Sequence, residues 1–178
     1  NRLQTGGKTP DRKLQILQTL ARMLERPAAE KITTAALAAH LEVSEAALYR
    51  HFASKAQMFE GLIEFIEATL FGLINKITSE EKSGLKQVEA VAAMLLGFAQ
   101  KNHGMTRVLI GDALVHENER LQQRINQLHD RVEATLKQAL RVAAGQNELP
   151  AAFDAAARAN LIMSFITGRW HQFAKSGF

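Results

Sequence analysis

Between Thr9 and Arg26 the apolar residues Leu14, Leu17, Leu20, Ala21 and Leu24 recur at steps of three and four, the spacing that lines one face of an α-helix. Pro10 suits the first helical position, so the pattern predicts a first helix from about Thr9-Pro10 to Arg26. RPAAEK breaks it. Thr33 is placed to cap a second helix ending near His40, and Ser44 a third ending near Phe52. Ser54 followed by Gln57 makes a capping-box pattern that opens a fourth helix, to about Ile77. SEEKSG (79–84) reads as a turn.

The segment from about Leu85 to Lys101 is apolar on nearly every face, which predicts a helix buried on most sides. KNHG interrupts the pattern before a short piece, MTRVLI, and Gly111 precedes a long helix with a stop at Gly145. Leu121, Ile125, Leu128, Val132, Leu136 and Leu140 form its stripe, and Glu133 and Lys137 are spaced to pair on its outer face. After GQNELP a last helix carries Leu161, Ile162, Phe165, Ile166, Trp170 and Phe173. No sustained two-residue alternation occurs. The expected class is all-α.

Composition narrows this little, but the distribution of charge matters. Residues 1–55 hold nine Lys/Arg against five Asp/Glu, while residues 56–178 hold thirteen of each. The whole excess of +4 therefore lies in the first segment, as a phosphate-binding surface requires. The absence of cysteine excludes disulfides and thiolate metal sites and fits a reducing cytoplasm. The longest apolar run, AVAAMLLGFA, falls short of the roughly 20 residues of a membrane helix. No charged-then-apolar leader opens the sequence, so no secretory signal is expected, and the lack of an opening Met suggests a processed or trimmed chain.

Two short helices joined by a tight turn over ITTAALAAHLEVSEAALYRHFASK predict a helix-turn-helix. Leu37, Ala38 and Leu41 are expected to pack against Val43, Leu48 and Phe52, leaving Glu45, Ala46, Ala47, Tyr49 and Arg50 variously outward. Small residues at positions 46 and 47 would let the third helix approach base edges in a major groove. Thr34 is a candidate phosphate donor, and Lys55 adds a charge to the exposed N–H groups that open the fourth helix.

That stretch resembles the DNA-binding signature of the TetR family of regulators. The resemblance implies an all-helical homodimer, with a three-helix helix-turn-helix unit over 1–55 and a helical dimerisation and partner-binding unit over 56–178. It implies contacts to a palindromic double-stranded DNA site from Thr33, Thr34, Ser44, Ala46, Ala47, Tyr49, Arg50, His51 and Lys55. LIEFIEATL, LLGFAQKNHGMTR and RLQQRINQL are similar to the branch of the family that acts in nucleoid occlusion. This implies a nucleoid-associated partner of the division GTPase FtsZ, with Phe65, Met94, Gly97, Lys101 and Asn102 as the contact residues. Three features depart from the family pattern: Glu42 replaces a usual, left-handed Gly, the N-terminal arm is sparsely basic (Arg2, Lys8, Arg12, Lys13), and a further C-terminal helix is expected after Phe178. Leu73 occupies a position expected to be basic on the partner surface.

The fourth helix gives independent support for a partner. Its core face centres near Phe59, Ile66 and Leu73, which leaves Phe65 roughly 110° and Phe71 roughly 130° away on opposite flanks. A ligand-responsive repressor of the same fold is the alternative function, and it requires a roomy pocket in the second unit, against which the bulky fill at Met94, Leu95 and Phe98 argues. Enzyme chemistry finds no footing. HENER (116–120) has Arg120 where a zinc-protease motif needs its second His, and reads as a solvated helix face. GGKT (6–9) lacks the first Gly of a phosphate loop. No catalytic residue, metal or cofactor is expected.

Overall fold

The computed structural model describes residues 11–26 and 31–178. Among them the chain forms eight α-helices and one 3-10 turn: α1 (Arg12–Met23), α2 (Thr34–His40), α3 (Glu45–Tyr49), α4 (Lys55–Glu80), α5 (Gly84–Lys101), α6 (His103–Leu109), the 3-10 turn Asp112–Leu114, α7 (Glu119–Gly145) and α8 (Ala155–Lys175). No β-strand occurs among the described residues.

Short polar side chains set the helix starts, because each accepts one of the amide protons that a first turn leaves unpaired. Asp11 takes the Lys13 amide, so α1 opens there, and the expected start at Thr9-Pro10 lies outside the described residues. Ser54 Oγ accepts from the Gln57 amide at 3.1 Å, while Gln57 Oε1 reaches back to the amide of Ala53 at 3.0 Å. The box thus closes one residue earlier than the usual pattern. Asn102, with φ −137° and ψ 71°, breaks α5 from α6 at the expected KNHG interruption.

Gly145 is the last residue of α7 rather than its left-handed stop. That role falls to Asn147 at φ 60°, with the Glu148 amide returning to the Ala143 carbonyl at 3.0 Å. All six expected stripe residues of α7 are buried. Glu133 does not pair with Lys137 on an outer face, since its Oε1 accepts from Nδ2 of Asn160 on α8 at 3.0 Å.

α4, α5, α7 and α8 pack around a continuous core. α5 buries Gln87, Val91, Leu95, Phe98 and Ala99, a single stripe with half-buried flanks, so it is less enclosed than its composition predicts. Trp170 of α8 donates its indole N–H to the Leu95 carbonyl at 3.0 Å, satisfying the polar end of a fully enclosed ring. Phe71 is corrected from an off-face aromatic to a core residue, roofed by the Arg131 guanidinium 3.7 Å from its ring centre. Leu73 departs in the other direction: expected at the centre of the α4 core face, it is 40% exposed, while on α8 Leu161 and Phe165 are both 60% exposed.

Candidate nucleic-acid interface

The turn between α2 and α3 follows from its backbone bonds. Thr33 Oγ1 accepts the Ala36 amide at 3.1 Å to start α2. At the far end the Val43 amide bonds the Ala38 carbonyl at 3.0 Å and the Glu42 amide the Ala39 carbonyl at 3.2 Å, with Glu42 left-handed at φ 54°. A side chain in that conformation costs about 1–2 kcal/mol relative to glycine, which the closed turn offsets. Ser44 Oγ then accepts the Ala47 amide at 3.2 Å and starts α3. α3 ends at Tyr49, short of Phe52, because the His51 and Phe52 amides both turn back to the Leu48 carbonyl. Leu37, Ala38 and Leu48 are buried, with Leu41, Val43 and Phe52 packed against them, so the expected pairing of the two helices holds.

The outward face carries the expected groups. Ala46, Tyr49 and Arg50 are exposed, with Tyr49 at 46%. Ala47 and His51 are half-buried, and with Arg50 they line a cleft of about 210 Å³ that Arg12 of α1 closes. Thr33 and Ser44 spend their oxygens as caps, which leaves each hydroxyl proton free to donate. Thr34 is engaged: its hydroxyl donates to Glu45 Oε2 at 2.9 Å, and the Tyr49 hydroxyl donates to Thr34 Oγ1 at 3.4 Å. Glu45 is expected outward from the sequence but given no role there, because nothing in the spacing shows that it reaches the start of α2. Lys55 stands apart from the cluster. Its Nζ is 2.6 Å from Glu117 Oε1, in the segment between the 3-10 turn and α7. HENER is only partly the expected helix face: Glu119 and Arg120 are exposed in the first turn of α7, whereas Glu117 makes this pair and Asn118 caps the helix.

Besides the Lys55–Glu117 pair and the packing of α1 on α4, two residues of α6, Arg107 and Gly104, tie α1 to the bundle. Arg107 of α6 donates from Nη1 to the carbonyls of Leu24 and Arg26, and from Nε to Asp112. Lys175 of α8 bonds the same Asp112 carboxylate. Burial alone would push that carboxyl upward, but the hydrogen bonds and charges of Lys175 and Arg107 outweigh it and leave its pKa below the ordinary 3.8. Beside them Gly104 lets α6 approach α1 so closely that a β-carbon there would meet the Ala21 carbonyl oxygen at 1.8 Å.

The residues expected to meet a protein partner lie on α4 and α5, which pack together. Phe65 is 37% exposed, Met94 and Gly97 are half-buried, Lys101 is exposed and Asn102 half-buried. Asn102 Nδ2 donates to the Phe98 carbonyl at 2.9 Å. Gly72 and Gly97 have open space where a side chain would project. No group of His, Asp and Glu among the described residues is arranged to hold a metal ion. No helix there is long and apolar enough to cross a membrane.

Comparison with known proteins places these features. Residues 16–62 match the family described as bacterial regulatory proteins, tetR family, and residues 82–178 match the tetracyclin repressor-like C-terminal domain. The chain is 52% identical over 171 residues to the nucleoid occlusion factor SlmA of Alteromonas mediterranea, covering 96% of this chain and 88% of that protein. It is 51% identical over 168 residues to SlmA of Idiomarina loihiensis, covering 94% and 86%. Among solved structures, the TetR family transcriptional regulator PfmR from Thermus thermophilus superposes with a TM-score of 0.75 at 20% identity, over 94% of this chain and 87% of that one. AibR, solved with isovaleryl coenzyme A and operator DNA, gives 0.74 at 16% identity, over 90% and 86%. At those identities the likeness is one of fold.

Proposed function

Because the chain belongs to the nucleoid occlusion factor SlmA branch of the TetR family, we propose that it binds a palindromic DNA site as a homodimer and, while bound, antagonises polymerisation of FtsZ. It would act in the cytoplasm, on the nucleoid. The observation that carries the DNA half is the outer face of the helix-turn-helix. A short α3 exposes Ala46, Tyr49 and Arg50 beyond a closed turn, flanked by hydroxyl donors at Thr33 and Ser44. Small residues admit the backbone to a major groove, and Arg50 is the side chain suited to a guanine edge. Thr34, Tyr49, His51 and Lys55 position the protein on phosphates. Two such faces, one per subunit, would read half-sites about 34 Å apart.

Leu161 and Phe165, four residues apart on α8 and both 60% exposed, support that helix as the face between subunits. On α4, Phe65 and Gly72 lie within about 20° of one another around the helix, and on α5 Met94, Gly97 and Lys101 lie within about 60°. Exposed Phe65 and Leu73 beside two glycines that leave their faces open support a shallow, partly apolar site for a segment of FtsZ. The alternative of a ligand-gated repressor loses ground in the bundle interior. Val91, Leu95, Leu136, Ile166 and Trp170 are buried between α5, α7 and α8, a bulky apolar fill that argues against an effector pocket among them.

Selection from randomised oligonucleotides, followed by footprinting, tests the DNA half; failure to enrich any palindrome overturns it. Sedimentation of FtsZ with the protein, with and without the selected duplex, tests the division half, with Phe65→Ala as the surface control. Loss of FtsZ polymer only when DNA and intact Phe65 are both present is the expected result. Unchanged polymer in every tube would end the division role and leave DNA recognition standing.

A further inference from the structure

Lys55 and Glu117 form a shielded pair, their side chains only 22% and 12% exposed. Shielding makes the attraction stronger than that of an ordinary surface ion pair. The pair is the end of a series that laces α4 to α7 and the segment before it: Arg120 meets Glu60 at 3.5 Å, and Arg124 meets Glu67 at 3.3 Å and Glu64 at 3.6 Å. Only the first member sets a base on α4 against an acid. It is also the member nearest in sequence to α3.

Apart from Lys55, Glu117 is held by its backbone amide, which donates to the carbonyl of buried Leu114 at 3.0 Å. Asp112 is fixed by Arg107 and Lys175, and Asn118 caps α7, but between them Val115 is 70% exposed and His116 is exposed. A carboxylate on a short tether, anchored at both ends, therefore occupies the ammonium that a DNA phosphate would need. We propose that Glu117 is an internal competitor for Lys55, displaced by a backbone phosphate when the helix-turn-helix docks, so that DNA binding releases the segment Val115–Glu117. This rests on the assignment of Lys55 as a phosphate contact. The consequence is reciprocal: whatever stabilises the released segment tightens DNA binding by the same factor.

Anisotropy titrations of a fluorescein-labelled duplex carrying the selected palindrome, and of an unrelated duplex at low salt, test this with four proteins: wild type, Glu117→Gln, Lys55→Ala and the double variant. Glu117→Gln should bind both duplexes roughly 5- to 20-fold more tightly, the lower part of the usual range for coupled sites. Lys55→Ala should bind more weakly than wild type, and adding Glu117→Gln to it should change nothing. If Lys55→Ala weakens binding while Glu117→Gln does not tighten it, the competition is refuted and the phosphate contact stands. If Lys55→Ala binds like wild type, the phosphate assignment fails and the competition with it. Equal tightening in the Lys55→Ala background would mean that Glu117 acts through general charge, which also overturns the proposal. Hydrogen exchange of the wild-type protein gives a reading independent of any variant's folding. The duplex should speed exchange across residues 115–117, and unchanged or slowed exchange there refutes release.

Discussion

Arg107 on α6 donates from Nη1 to the Leu24 carbonyl at 2.7 Å, so a guanidinium of the helical bundle caps the end of α1 in the DNA-binding unit. The same group bonds the Arg26 carbonyl at 2.5 Å and Asp112 at 3.0 Å, and it is only 7% exposed. Arg107→Ala should therefore leave a carboxylate and two carbonyls poorly paired and lower the unfolding free energy by about 3–5 kcal/mol. Arg107→Lys should recover less than half of that, because a compact ammonium cannot serve both directions of the fork. Urea unfolding at neutral pH reads both variants.

His129 makes stability depend on pH. Burial lowers its pKa below 6.5, against its hydrogen bond to the Leu109 backbone and the charge of Asp130, and its Nε2 has no hydrogen-bond partner among the described residues. The unfolded chain takes up this proton at a higher pH than the folded one. The contribution of His129 is therefore complete above the unfolded value of 6.5 and is lost as pH falls from there through the folded value. The urea midpoint should fall as pH is lowered through 6.5 and below, and His129→Phe should reduce that drop. An equal drop in both proteins would refute the assignment.

At Gly104 the backbones of α6 and α1 approach closely. A β-carbon added there meets the Ala21 carbonyl oxygen at 1.8 Å and its carbon at 2.8 Å, both backbone atoms that no rotamer change can remove. Gly104→Ala should force the helices apart at a cost of about 1–3 kcal/mol or more. It should weaken DNA binding as well, by tilting α1 and the helix-turn-helix together. Thermal melting and duplex titration measure the two effects, and a variant that melts and binds like wild type would contradict the close approach.

Glu45 places a carboxylate within the face proposed to meet phosphates, where it accepts the hydroxyl of Thr34 at 2.9 Å. Glu45→Gln keeps a hydrogen-bond acceptor and removes the charge. It should tighten binding several-fold on duplexes of every sequence, with the smallest effect at high salt. A change confined to duplexes altered at one cytosine would instead identify Glu45 as a base reader.

Phe165 tests the subunit face. Phe165→Glu introduces a charge at a position that is 60% exposed in the single chain and should leave the monomer folded, as read by circular dichroism. It should shift sedimentation toward the monomer and abolish tight binding to a full palindrome, while half-site binding at low salt survives. Retention of the dimer would move the interface off this face of α8.

The helix map was legible because its signals are local. Thr33, Ser44 and Ser54 accept amides three residues on, and the α7 stripe repeats within one helix, so spacing suffices to find them. The positive φ of Glu42 follows from a turn whose bonds span only Ala38 to Val43. Where expectations erred locally, they missed by a turn: α3 stops at Tyr49, and Asn147 rather than Gly145 takes the left-handed conformation. Phe71 and Leu73 misled for a different reason. Periodicity gives a residue's angle around its helix but not which neighbouring element, if any, lies at that angle.

The amino-acid sequence by itself determined the all-helical class, the helix-turn-helix and the concentration of positive charge before residue 56, since each depends on neighbours along the chain or on composition. Tertiary structure alone decided which charges are already engaged. Lys55 meets Glu117, Arg107 meets the end of α1, and Thr34 meets Glu45, each across a separation in sequence that no period encodes. Electrostatic attraction has no spacing rule of its own: which acid finds which base is set by how the helices pack, and packing is settled by the apolar faces those charges merely border.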